Sequence, residues 1–160
     1  MFHLAINKTE LLSGLNNMTS KRGKVKNRAA NGQFQTIPRQ VVESGNYSKL
    51  DGWSVKLLVD INAQFNGKNN GDLCATWSLL KDKGWRSKAT LHRSTRNLIE
   101  LGFIQQTRQG GRNQCSLFSV TFKPIDECQG KLDTKPTITP SNLWKLTDKD
   151  TTLSIVKVAK

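Results

Sequence analysis

With 160 residues, the chain is long enough for one ordinary hydrophobic core and an extension at each end. Its 25 lysines and arginines outnumber 12 aspartates and glutamates, and the formal net charge of +13 favours a polyanionic partner, either nucleic acid or an anionic membrane surface. No apolar run approaches the length of a membrane span, and the apolar start MFHLAIN is too short for a signal peptide. We therefore expect a cytoplasmic protein without a membrane partner.

Residue patterns for catalysis or metal binding are missing from the sequence. Cys74, Cys115 and Cys128 are odd in number and show no CxxC spacing, which argues against a disulfide framework and against a zinc site. The phosphate-binding GxxxxGK[ST], the HExxH and the GxSxG patterns do not occur. His3 and His92 cannot be combined with a nucleophile and an orienting acid on any sequence argument. We expect no enzyme, no metal and no cofactor.

The first segment, residues 1–33, is predicted to be a flexible basic arm. Its Gly, Asn, Ser and basic composition shows almost no aliphatic periodicity. Such an arm can follow a DNA groove or neutralise phosphates, although a merely solvated basic tail is the alternative. The arm residues expected to contact DNA are Lys21, Arg22, Lys24, Lys26 and Arg28.

Residues 34–123 are expected to form the folded domain, which starts with a short helix between Pro38 and Gly45. Helical spacing then predicts a longer helix over about Gly52 to Asn66. Its inward face would hold Trp53, Leu57, Leu58, Ile61 and Phe65. The stretch DLCA suits a short strand or a helix lead-in, and ATWSLLKDKG suits a short helix with Leu79 and Leu80 inward and Gly84 at its end. We interpret Trp53, Trp77, Phe65 and Trp85 as core residues rather than platforms for base stacking.

The next helix has clear start and stop signals: Ser87 is a good N-cap, and Gly102 is a good residue to end the helix. Leu91, Thr95 and Leu98 would face inward, flanked by Ile99 and Leu101. The opposite face would present Ala89, Arg93, Arg96 and Glu100, with His92 and Asn97 at its edges. A small residue followed by arginines suits a helix in a major groove, where arginine can bond the edge of guanine. A solvated face with Glu100 as counter-charge is the alternative.

Residues 103–120, FIQQTRQGGRNQCSLFSV, predict a β-hairpin. Gly110 and Gly111 would supply the positive φ values of its tight turn, while Arg108 and Arg112 project from its two sides. Arginine is favoured in narrow minor grooves, so we expect the tip to contact DNA beside the helix. A hairpin tip that is only solvated is the alternative.

After Phe122 the apolar pattern fades, and residues 124–160 are predicted to be an extended tail pinned by anchors such as Trp144. This tail is the segment that we expect to clasp a second copy or to meet a protein partner. Together these elements predict an α+β, mainly helical fold, a winged helix-turn-helix of three helices plus a β-hairpin wing.

The words GQFQTIP, FNGKNNGDLCATWSLL, GWRSKATL and GFIQQTRQGGRNQCSLFSVTFKPIDEC cover roughly Gly32 to Cys128. In their order and spacing, the chain resembles winged helix-turn-helix proteins encoded in bacterial genomes and on phages, plasmids and integrating elements. The resemblance implies a regulator of replication or transcription on a mobile element. It extends neither to the basic arm nor to the last thirty residues.

The sequence therefore predicts a sequence-specific double-stranded DNA-binding protein, bound as a homodimer because one such module seldom gives enough specificity. Two alternatives stay open: a replication initiator or accessory factor of a mobile element, and a protein that acts through protein contacts. Besides the arm, the expected DNA-binding residues are Arg86, Ser87, Lys88, Thr90, Arg93, Arg96, Arg108, Arg112 and Asn113.

Overall fold

The computed structural model describes residues 34–146, and the predicted basic arm and residues 147–160 lie outside this range. Four α-helices are found in it: α1 (Arg39–Val42), α2 (Gly52–Asn62), α3 (Trp77–Leu80) and α4 (Lys88–Glu100). Three strands accompany them: β1 (Leu73–Cys74), β2 (Ile104–Arg108) and β3 (Leu117–Val120). Short 3₁₀ turns occur at Tyr47–Lys49, Lys81–Lys83, Cys128–Gly130 and Leu143–Lys145.

The strands form an antiparallel sheet in the order β1-β3-β2. Leu73 pairs with Phe118, and Ile104 pairs with Val120. A bulge between Gln106 and Arg108 leaves Thr107 out of the ladder, and the Thr107 hydroxyl donates to the Gly71 carbonyl at 2.6 Å. DLCA is therefore a short strand, the first of the two interpretations that its sequence allowed.

A single apolar cluster joins the helices, the sheet and the chain near residue 144. Helices α2 and α4 pack against each other, and α4 packs against β2. The buried members of the cluster are Val41, Leu57, Leu58, Ile61, Leu73, Leu80, Trp85, Leu91, Leu98, Phe103, Ile104, Phe118, Val120, Phe122 and Trp144.

The expectation of a mainly helical winged helix-turn-helix is wrong in its first part. Within residues 34–146 the fold is α+β, with about 39% of residues in helices, 3₁₀ turns included, and 12% in strands, which is too little helix for a mainly helical domain. The reason is that α1 and α3 are only four residues long, so each makes a single turn. The winged-helix assignment itself is not confirmed.

Helix α2 ends at Asn62, four residues before the predicted end, because the residues that follow bond to other backbone. The Gln64 side chain donates to the Cys74 carbonyl at 2.8 Å and accepts from the Cys74 N–H at 2.9 Å. The Asn69 side chain donates to the Gln64 carbonyl and accepts from the Asn66 N–H. Polar side chains that bond to backbone in this way compete with helix continuation.

Two predicted core positions are exposed. Leu79 is 43% exposed, whereas its neighbour Leu80 is fully buried, because α3 ends after one turn and presents only one side to the core. Trp53 is 42% exposed in the first turn of α2. Its ring lies 5.4 Å from that of Trp85, which covers it on one side only.

Residues 124–146 pack on the domain, with little regular structure of their own. The Asp126 N–H donates to the Asn70 carbonyl, the Asp133 N–H to the Thr107 carbonyl and the Asn142 N–H to the Thr121 carbonyl. Trp144, the predicted anchor of this segment, is 5% exposed and belongs to the core of the domain.

Candidate nucleic-acid interface

Helix α4 begins and ends at the residues that its sequence indicates. The Ser87 side chain accepts a hydrogen bond from the Thr90 N–H at 3.4 Å, so its hydroxyl caps the helix. Gly102 has φ +75°, the left-handed conformation that commonly follows a helix. Ser87 and Thr90, both expected to bind DNA, are half-buried and joined by this cap.

The buried side of α4 is formed by Leu91, Ser94 and Leu98. Ser94 rather than Thr95 is at its centre, and the Thr95 hydroxyl donates to the Leu91 carbonyl within the helix. Leu91 and Leu98 are therefore buried as predicted, whereas Ser94 takes the buried position that was predicted for Thr95. Ile99, predicted to flank the stripe, is 40% exposed.

The opposite side of α4 carries exposed basic residues. Lys88, Ala89, Arg93 and Arg96 are all exposed, as is Arg86 in the turn before the helix. Within residues 34–146, Arg86, Lys88 and Arg96 take part in no salt bridge. Glu100, one turn beyond Arg96, is the first carboxylate of this face. Among the described residues, Arg93 alone of these basic side chains has a carboxylate partner, so most of the positive charge on the first two-thirds of the helix is unneutralised.

Arg93 forms a long ion pair with Asp51, the residue directly before α2. Its guanidinium Nη2 lies 3.9 Å from Asp51 Oδ2, and the Arg93 side chain stays 71% exposed. An exposed ion pair of this length contributes at most a fraction of a kcal/mol, about 0–1 by analogy with other surface pairs. Arg93 can therefore exchange this partner for a phosphate or a base edge at little cost.

Asp51 is part of a small network that connects α2 to α4. Asp51 caps α2 by accepting from the Ser54 N–H at 2.8 Å. Asn97 donates to Ser54 Oγ at 3.0 Å. Hydrogen bonds from Ser54, its side chain above all, hold the pKa of Asp51 below its ordinary value, with a further contribution from the charge of Arg93. Sequence reasoning missed this network, although an Asp directly before an apolar helical stripe is a cap signal.

The hairpin tip does not use its glycines as predicted. The two-residue turn lies between Gly111 and Gln114, which exchange backbone hydrogen bonds of 3.1 and 3.2 Å. The positive φ falls on Asn113, at 65°, and neither Gly110 nor Gly111 has one. Gly110 is needed for a different reason, since a Cβ there would lie 2.5 Å from the Ser116 nitrogen.

The two arginines of the hairpin have different environments. Arg112 and Asn113 are exposed at the turn. Arg108 instead folds back on the hairpin: its Nη2 donates to the Cys115 carbonyl at 3.1 Å, and its Nε is buried without a hydrogen-bond partner. Only Arg112 therefore projects as the prediction required, because Arg108 is anchored to the second arm of the hairpin.

An open groove of about 370 Å³ separates α4 from the hairpin. One wall carries Lys88, His92 and Thr95 of α4, and the other carries Ser116 and Phe118. Residues 75–77 also line it. Of the predicted DNA-binding residues, Lys88 lines this groove. Lys21, Arg22, Lys24, Lys26 and Arg28 lie outside the described residues.

The aromatic residues near this side differ from one another. Trp85 is 2% exposed, as predicted, and its indole N–H donates to Asp60 Oδ2 at 2.8 Å. Trp77 and Phe65 are partly buried and pack against the core. Trp53, predicted as core, is 42% exposed.

The chain matches no protein-family model, and neither the curated proteins nor the solved structures contain a match to it. Among residues 34–146, no cluster of three or more His, Cys, Asp or Glu side chains is arranged to hold a metal ion. None of the helices in that range is long and apolar enough to cross a membrane.

Proposed function

We propose that this protein binds double-stranded DNA sequence-specifically through α4 and the hairpin tip. The single observation that carries the proposal is the exposed basic face of α4, formed by Arg86, Lys88, Arg93 and Arg96 around the small Ala89. This face lies opposite the buried stripe, so it can enter a groove without disturbing the core. The small side chain early on the face lets the helix approach the base edges closely.

Within this proposal, the groups have separate tasks. Arg93 and Arg96, at the middle of the helix, are assigned to base edges, where arginine bonds guanine in pairs. Arg86 and Lys88, at the amino end, are assigned to phosphates, which the helix dipole also attracts. Arg112 at the hairpin tip is assigned to the adjacent backbone or minor groove. Ser87, Thr90 and Arg108 are left as structural residues, because their side chains serve the cap and the hairpin.

The resemblance to proteins of bacterial mobile elements supports a role as transcriptional regulator of such an element. Binding as a dimer follows from the need for specificity, since one recognition helix covers few base pairs. Both statements rest on the DNA-binding proposal and fail with it.

The test is selection of bound fragments from a random DNA pool at roughly 150 mM salt, where nonspecific binding is weakened. The wild type is compared with Arg93→Ala/Arg96→Ala and with a control, Lys68→Ala/Lys135→Ala, which removes the same charge from exposed residues outside α4 and the hairpin tip. We expect an enriched motif with the wild type and the control, and a blurred one with the α4 variant. A palindromic motif would indicate a dimer.

An unenriched pool for the wild type would reject sequence-specific binding. Equal loss of the motif in both double variants would show that charge alone matters and that α4 does not read bases. Tandem repeats in place of a palindrome would favour the replication alternative.

A further inference from the structure

Two of the three cysteines lie at the same edge of the sheet. Cys74 in β1 pairs with Leu117 in β3, and Cys115 is two residues before Leu117. If the register of the ladder continued to Cys115, this residue would be the diagonal neighbour of Cys74 on the same face. Diagonal Cα atoms are roughly 7–8 Å apart in a regular ladder, just beyond the span of about 4.4–6.8 Å that a disulfide bridges.

Cys115 lies outside the hydrogen-bonded ladder, so strand pairing does not fix the distance between its Cα atom and that of Cys74. Strand β3 begins only at Leu117. The preceding Ser116 accepts a hydrogen bond from the Gly110 N–H through its side chain, not through its backbone. A small shift of Cys115 toward Cys74 therefore breaks no strand pairing.

The Cys74 thiol is part of the electrostatic surroundings of Cys115. Burial raises the pKa of Cys115, a hydrogen bond and the charge of Cys74 raise it further, and the nearby Arg108 guanidinium opposes them. Arg108 is held at this place by its bond to the Cys115 carbonyl. Its buried Nε has no hydrogen-bond partner, so the positive charge beside the pair is not neutralised within the described residues.

Both thiols can be reached from solvent. Cys74 and Cys115 are half-buried, not enclosed. Thr76, which accepts from the Cys74 thiol at 3.5 Å, and Ser116, next to Cys115, both line the open groove beside α4. Each cysteine therefore keeps part of its surface in contact with solvent.

We propose that Cys74 and Cys115 form a modification site, a dithiol that low-molecular-weight disulfides convert to an intrachain disulfide. One thiolate attacks the small disulfide, forms a mixed disulfide and releases one small thiol. The second cysteine loses its proton and attacks the protein sulfur of that mixed disulfide, which releases the second small thiol. The pair thus loses two electrons and two protons, and the small disulfide is reduced to two thiols.

Cys128 provides an internal comparison. It is also half-buried, but burial and the neighbouring carboxylates of Asp72 and Asp126 raise the pKa of its thiol. It lies in the 3₁₀ turn Cys128–Gly130, outside the strand pairing that brings Cys74 and Cys115 together, so no second cysteine is placed to resolve a mixed disulfide there. The site does not depend on DNA binding and can be tested without DNA.

The experiment treats the full chain with oxidised glutathione at about pH 8, where thiolates form more readily. Remaining thiols are counted by maleimide labelling and intact mass under non-reducing conditions. We expect the wild type and Cys128→Ser to lose two thiols and the mass of two hydrogen atoms, with no glutathione attached. Cys74→Ser and Cys115→Ser should instead carry glutathione on the remaining member of the pair, because no neighbour resolves the mixed disulfide.

Peptide mapping of the oxidised wild type keeps the test decisive if a serine variant does not fold. A cross-linked peptide that contains Cys74 and Cys115 would support the site. A stable glutathione adduct on the wild type, a disulfide between two chains, or three unreacted thiols would each overturn it.

Discussion

Gly102 joins the end of α4 to the chain near Trp144. Its φ of +75° is left-handed, and a Cβ there would lie 2.6 Å from both the carbonyl carbon and the oxygen of Leu143. Its own carbonyl accepts from the Thr121 hydroxyl at 2.6 Å. The residue is thus restricted by conformation and by close approach of another backbone segment.

Gly84 allows the cost of the left-handed conformation to be measured without the cost of a close contact. It has a similar φ of +84°, but nothing lies within 4 Å of a Cβ built there. We expect Gly84→Ala to lower the free energy of unfolding by about 1–2 kcal/mol, the cost of the left-handed conformation. Gly102→Ala should cost about 1–3 kcal/mol more, because the Leu143 backbone has to move. Urea unfolding of both variants checks this, and equal costs would show that the contact with Leu143 is unimportant.

At the scale of elements, the start of α2 and the middle of α4 are connected through Asp51, Ser54 and Asn97. Because the pKa of Asp51 is lowered in the folded state, its ionised form stabilises the fold at pH values above its ordinary pKa of 3.8. This contribution is lost as the pH falls through the lower folded value. It is small, since the Asp51 side chain is 43% exposed.

Asp51→Asn removes the negative charge but keeps the helix cap, because asparagine is an equally good N-cap. The variant therefore measures the contribution of the charge alone. We expect the wild type to be more stable than this variant at neutral pH by a few tenths of a kcal/mol. The difference should begin to shrink as the pH falls through the ordinary pKa of 3.8, and it should vanish only below the lower folded-state pKa, where the carboxyl is protonated in both states. Denaturant unfolding at several pH values measures it. A difference that stays constant with pH would mean that Asp51 acts only as a cap.

How far the elements follow from the sequence depends on where their hydrogen bonds go. Helix α4 was predictable, because Ser87 and Gly102 mark its ends locally. The end of α2 was not, because Gln64 bonds to Cys74, ten residues on in another element. The exposed basic face of α4 followed from helical periodicity, whereas the anchoring of Arg108 depended on the long-range path of the hairpin.

At the scale of the whole molecule, residues 124–146 close the core even though their sequence lacks periodicity. Asn46 shows how: its side-chain amide donates to the carbonyls of Trp144 and Leu146 at 3.0 and 2.9 Å. Such contacts cannot be predicted from a local sequence pattern, since the hydrogen-bonded residues are about a hundred positions apart. The folded unit therefore extends beyond the domain boundary that composition suggested near residue 123.

Trp144→Ala tests whether this closing segment stabilises the whole domain. Trp144 is 5% exposed in the core, so we expect its truncation to lower the free energy of unfolding by about 3–5 kcal/mol. Ile138→Ala is the control from the same segment, because Ile138 is 97% exposed and should change stability by less than about 0.5 kcal/mol. A small effect of Trp144→Ala in chemical unfolding would show that residues 124–146 are not part of the cooperative unit.

The positive charge of the whole molecule predicts how strongly the DNA-binding constant should depend on salt concentration. If Arg86, Lys88, Arg112 and part of the arm neutralise about six phosphates, log K should fall against log salt with a slope near −5. Lys88→Ala should reduce the slope by about 1 and weaken binding equally on all sequences, because a phosphate contact carries no base information. Lys68→Ala, which replaces an exposed lysine in the loop after α2, should change neither the slope nor the affinity.

Fluorescence anisotropy over a salt series gives the slopes. A wild-type slope near zero would reject the proposed interface, and equal slopes for both lysine variants would place the phosphate contacts away from the start of α4.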